Sequence, residues 1–339
     1  MKKKKTSRLT RAVRVVINGS LLTGCLSLGT TAHAAIDLQF QYVDAPGTGF
    51  LDPQNGSSWQ TAMNMVGSQF SNMFGSHFSN SGTIVLDVAA INDQNRELAS
   101  AATDVVSPGV PGFNVGEVIR TKLQNGMDLN GNKADGEVTV NFYDDWELNY
   151  DESPSNGKYD FYSTMYHEFT HALGFASTIG KNGETFYPSL DAWTTFDSFI
   201  VDKNGDRAIN PSDYALNPTA WFNGSTGGAS PAEGLFFDGP NAVAANGGHA
   251  VGLYTPEAWE DGSSGSHLDD QNPALAGMMM LATTGDGPSA RDYSAVEVGM
   301  LADLGYTAAV IPEPEAYAMM LAGLGMLGWI ARRRRQAEV

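Results

Sequence analysis

Residues 167–175 read His-Glu-Phe-Thr-His-Ala-Leu-Gly-Phe, and no other stretch of the 339-residue chain restricts the fold as tightly. His167 and His171 stand four apart, so on a helix their rings lie one turn above the other on the same face. Two neutral imidazole nitrogens at that spacing can hold one zinc ion, with Glu168 beside them to take a proton from a water. The surroundings support a helix. Asp160 is placed to cap one over 161–173, its carboxylate accepting from the first free amides. Met165, Phe169, Ala172 and Leu173 give that helix an apolar side to bury. Gly174 then lets the chain turn sharply at the helix end. The competing account is a helix with two solvated histidines, and the cap and apolar flank weigh against it.

A fold built around that helix must stand without disulfides. Cys25 is the only cysteine, and it lies in an export leader, so neither a bridge nor a thiolate ligand is available to the rest. The leader has a basic head (Lys2 to Lys5, Arg8, Arg11, Arg14), a moderately apolar run, and Ala32-His33-Ala34 as a small-residue cleavage site. Cleavage by signal peptidase after Ala34 makes 1–34 the signal peptide. Leu22-Thr23-Gly24-Cys25 offers a rival, lipoprotein-type processing. Residues 35–311 are long enough for a sizeable core, as one domain or as two lobes, 35–176 and 177–311. They hold nine basic against 35 acidic residues, a net of −26 where the whole chain carries −18. Such a field repels nucleic acid and favours cations.

The other end, 312–339, has three parts in order: Pro312-Glu313-Pro314, an apolar run over 316–330, and Arg332 to Arg335. The run is short of the ~20 residues that comfortably span a bilayer, so on physics it is a weak transmembrane anchor with transient membrane association. Together the three parts resemble the PEP-CTERM sorting signal of Gram-negative bacteria. That resemblance implies removal by an exosortase and delivery to the outer surface or surrounding matrix. A permanent anchor is the alternative.

Between the ends, apolar spacing predicts a helix over 57–77, with Trp59, Met63, Val66, Phe70 and Phe74 as core. Strands are predicted over 83–91 and 137–143, the latter followed by a polar loop and then the His-bearing helix. The fold class is therefore α+β, with the helix mounted on a sheet. Asp128-Leu-Asn130-Gly-Asn132 and Asp202-Lys-Asn204-Gly-Asp206 look like calcium loops, but each lacks glycine at position six. Calcium is thus possible but not favoured. The second stretch reads better as a β-hairpin on an Asn-Gly turn.

A catalytic zinc needs a third protein ligand and an open position. Ser177 occupies the place of the third histidine in the compact HExxHxxGxxH pattern, so the donor comes from further along. His267, in Gly262-Ser-Ser-Gly-Ser-His-Leu-Asp-Asp, is the first choice, with Asp269 placed to orient its ring. His249, Glu257 and Asp269 itself are the alternatives. His77 is expected to be solvated or capping.

The nonapeptide, with a distant downstream histidine, resembles leishmanolysin-type metzincins and related secreted bacterial metallopeptidases. The stretch around Leu253-Tyr-Thr-Pro-Glu and Ser266-His-Leu-Asp resembles their third-ligand segment. The resemblance implies a metzincin-like fold, with a twisted sheet over the HExxH helix and a C-terminal lobe supplying the third ligand. It also implies a methionine turn below the metal, here Met280 or Met279 and without the usual proline, and a closing helix over 293–306. The expectation is a secreted zinc endopeptidase acting on protein or peptide substrates. Zinc would sit on His167, His171 and His267, with Glu168 as general base. A surface or matrix binding protein with a structural metal site is the competing class.

Overall fold

The computed structural model describes residues 36–94, 97–187, 189–228 and 232–309, with 322–327, 329–330 and 333 of the tail. The leader, its two alternative processing sites and Pro312-Glu313-Pro314 lie outside the described residues. Among the described residues no helix is long and apolar enough to cross a membrane.

Four strands form the main sheet: β1 (Ile36–Tyr42), β2 (Gly82–Ile91), β3 (Ala99–Thr103) and β4 (Gly136–Asn141), in the order β1-β2-β4-β3. The first three in that order are parallel, and β3 runs antiparallel to β4 as an edge strand. Residues at alternate positions share a face. Leu38, Phe40 and Tyr42 pair with Ile84, Leu86 and Val88, and Val88 with Val138, which gives the sheet one continuous apolar side.

Two helices cover that side, α1 (Gly56–His77) and, after α2 (Val118–Asn125), α3 (Phe161–Ala172). Gly67 lets α1 lie close: a β-carbon there would fall 2.9 Å from the Phe40 ring. Phe169 of α3 packs on Phe40 and on Phe70 of α1. The predicted helix and strands are thus present, with ends shifted by one or two residues, as fraying ends allow.

Beyond α3, a three-stranded antiparallel sheet is made by β5 (Ile200–Asp202), β6 (Leu235–Phe237) and β7 (Val251–Gly252), with β6 central. Short helices α4 (Pro218–Gly224) and α5 (Pro240–Ala245) flank it. The closing helix α6 (Ala295–Asp303) is shorter than the 293–306 that the resemblance implies: Ser294 caps its start in a capping box with Glu297, and Gly305 at φ +99° turns the chain after it. One continuous core joins the halves, from Ile36 through Phe169 and Phe196 to Tyr306.

In both calcium-like stretches the leading aspartate is already engaged by the protein's own groups. The carboxylate of Asp202 accepts from the amides of Asn204 and Asp206, and Val201 bridges Arg207, so this is the hairpin. In the other loop the ammonium of Lys122 sits 3.2 Å from Asp128 and 2.9 Å from buried Asp135, taking the place of a cation.

Candidate metal centre

The helix that carries the site is fixed at both ends. The Asp160 carboxylate accepts from the amides of Tyr162 and Ser163, as its position predicted. The same carboxylate takes both contacts from Arg291 Nε, at 2.9 and 3.1 Å, and the Arg291 guanidinium lies over the rings of Tyr150 and Tyr162. At the far end Gly174 has φ +97°, a conformation costly for any other residue. That turn brings the carbonyl of Phe175 back to His171.

His167, His171 and His267 converge, each Nε2 lying 3.0 Å from the other two. The other ring nitrogens decide what this means. Each Nδ1 faces a backbone carbonyl: Met279 for His167 at 2.8 Å, Phe175 for His171 at 2.7 Å and Ser263 for His267 at 2.9 Å. A carbonyl only accepts, so each Nδ1 carries the proton and each Nε2 presents a bare lone pair. Three lone pairs at this spacing have no proton to share, so they repel one another unless a cation lies between them. An ion at roughly 2.0–2.1 Å from imidazole nitrogen can reach all three. The donor set fits zinc. Burial pushes all three rings toward the neutral form, His267 to about 3 with His167 as the next cause, and His171 well below the ordinary value.

Glu168 is buried beside the rings. Burial raises its carboxyl to about 8, the charge of Glu97 adds to this, and a hydrogen bond from the Ala101 amide on β3 opposes it. The trio and Glu168 line a cleft of about 1030 Å³, whose wall also includes Ala99 to Ala101 of edge strand β3, Leu281 to Gly285 and Pro288 to Ala290.

The remaining expectations divide. His249 is exposed, in the turn after α5, and Glu257 is also exposed. His77 pairs with Asp292 at 2.7 Å. Asp269 does not orient His267. The tight turn over 260–266 brings the Ser263 carbonyl under that ring, and Asp269 accepts instead from the Gln271 amide. Ser177 belongs to a buried network: its hydroxyl donates to Asp197, and its amide donates to Ser266 next to His267. Met280 is fully buried, and Met279 supplies the carbonyl for His167. Glu297, whose carboxylate accepts from the amide of Met280, is not among the expected site residues; its Ser-x-x-Glu spacing signals only a helix start.

Comparison with known families adds one match, at the tail. Residues 310–335 match the PEP-CTERM protein-sorting motif. This motif marks export and cell-surface sorting in Gram-negative bacteria, with recognition by an exosortase. A search of curated proteins found no match to the chain.

Proposed function

We propose that the chain is a secreted zinc-dependent endopeptidase of the metzincin type, released at the cell surface or into the surrounding matrix. The observation carrying this reading is the meeting of three protonless imidazole nitrogens with a buried carboxylate in one open cleft. Zinc, when bound, supplies a Lewis acid that polarises the scissile carbonyl and acidifies a water.

The protein's own groups do the rest. His167, His171 and His267 would hold the ion through Nε2. The Glu168 carboxylate takes a proton from the attacking water and returns it to the leaving nitrogen. Burial raises the Glu168 carboxyl, and beside a bound dication it would be drawn back toward the ionised form that a base needs. Strand β3 supports a peptide as substrate, because its outer edge borders the cleft and an extended chain can add to a strand edge.

A structural metal site would use a fourth protein donor. Among the described residues the metal-competent group has three members, and the intact acid beside them serves catalysis rather than closure. The test is casein cleavage by the purified exported protein, with bound zinc measured in parallel. Glu168→Gln should retain zinc and lose at least ~100-fold in rate, the scale of general-base catalysis. Undiminished cleavage by that variant would refute the assignment.

A further inference from the structure

Glu297 lies on α6, 130 residues beyond His167, and is fully buried. One carboxylate oxygen accepts from the Met280 amide at 2.7 Å and the other from the Ser294 amide at 2.7 Å. The Met279 amide also bonds to it. Both oxygens act as acceptors, as an ionised carboxylate does.

The Met280 N–H belongs to the same peptide group as the Met279 carbonyl. That carbonyl accepts the Nδ1 proton of His167 at 2.8 Å. Carboxylate, peptide and imidazole therefore form one line of hydrogen bonds. An anion drawing on the N–H of an amide makes its carbonyl oxygen a stronger acceptor. A stronger acceptor at Nδ1 fixes the tautomer and raises the basicity of Nε2, which a metal-ligating histidine usually obtains from a directly bonded partner. The peptide beneath His267 differs: its Ser264 N–H donates to the neutral carbonyl of Glu260 at 2.9 Å.

We infer that Glu297 is a positioning residue for the metal centre, acting through the Met279–Met280 peptide to orient His167 and strengthen it as a donor. The inference rests on the reading of His167 as a ligand, and two separate readouts test it. Zinc affinity of the exported protein is measured against a competing chelator. The Nδ1–H signals of the histidines are followed by NMR in 15N-labelled protein, with and without zinc.

In Glu297→Gln the zinc dissociation constant should rise about tenfold, the lower end of the range for such outer partners. The His167 Nδ1–H signal should move while that of His267 stays in place. Ser294→Ala loosens the same helix by removing the hydroxyl that accepts from the Glu297 amide and also bonds its carboxylate, while the carboxylate, its charge and its Met280 contact stay. It should move both readouts less than Glu297→Gln does.

Unchanged affinity and an unmoved His167 signal in Glu297→Gln overturn the relay. So does an equal effect from Ser294→Ala, which would reduce Glu297 to helix stability. If Glu297→Gln does not fold, Glu297→Asp withdraws the charge by one methylene and should move the His167 signal; an unmoved signal overturns the relay there too. If the parent protein binds no zinc, the functional reading fails by itself. The relay is then still judged on the metal-free His167 signal, which loss of the charge should shift.

Discussion

Gly174→Ala tests how the end of the metal-bearing helix is built. At φ +97° a side chain brings strain of about 1–3 kcal/mol. The new β-carbon would also fall 2.6 Å from Glu117 Oε1 and 3.5 Å from Arg120 Cδ. Glu117 is buried and paired with Arg120 at 2.7 Å. Separating a buried pair costs about 3–5 kcal/mol, and a partial shift a share of that. The expected total is about 3–5 kcal/mol, a large part of the roughly 5–15 kcal/mol that keeps a domain folded. Urea unfolding of the metal-free protein measures it. Gly247→Ala is the control, because Gly247 also has positive φ (+67°) but has open space around its missing β-carbon. It should cost only about 1–2 kcal/mol. The turn also carries the Phe175 carbonyl that orients His171, so zinc affinity should fall about 10–100-fold in Gly174→Ala. Equal midpoints for the two variants would refute the close packing of Gly174 on Glu117.

Two further outcomes follow from the same geometry. His171 has a folded pKa well below its ordinary value of 6.5, with burial as the largest cause, so on acidification the unfolded chain takes up the proton first. Metal-free stability from this group is complete above pH ~6.5 and is lost as pH falls. Between pH 6 and 4.5 the parent should lose up to about 1.4 kcal/mol per pH unit more than His171→Gln. Parallel stability curves would show the ring to be solvated. Asp160→Ala should destabilise the fold by about 2 kcal/mol through loss of the cap and of the Arg291 pair, and Asp160→Asn, which keeps the cap, by less. Equal melting points for these two variants would mean the cap contributes nothing beyond the Arg291 pair.

Legibility in the sequence followed the range of the interaction. Helix α3, its Asp160 cap and the Gly174 turn are local patterns, and each appears where spacing placed it. So do α1, with its stripe from Met63 to Phe74, and the hairpin at Asn204. His267 was reached by elimination among few histidines, and it does meet His167 and His171. Edge strand β3 escaped notice because Ala-Ser-Ala-Ala-Thr shows neither alternation nor branched bulk. The partners of the three rings are backbone carbonyls, which every residue carries, so no letter marks them. Asp269, a neighbour in sequence, is the expected partner of His267, yet the Ser263 carbonyl performs that task. The Ser-x-x-Glu spacing at 294–297 marks a helix start, and nothing in it points to Met280, so Glu297 does not stand out in the sequence.

The two histidines of α3 lie 100 and 96 positions ahead of the third, and the turn and acid that steady His167 come later still. A nascent copy halted between residues 175 and 267 therefore owns two thirds of a grip and lacks the turn and the acid that steady His167. Affinity for the ion becomes a property of the finished fold, gained and lost with it. On the proposed reading, a peptidase arranged this way is harmless to the cell that synthesises it until almost the whole domain has been threaded out and closed.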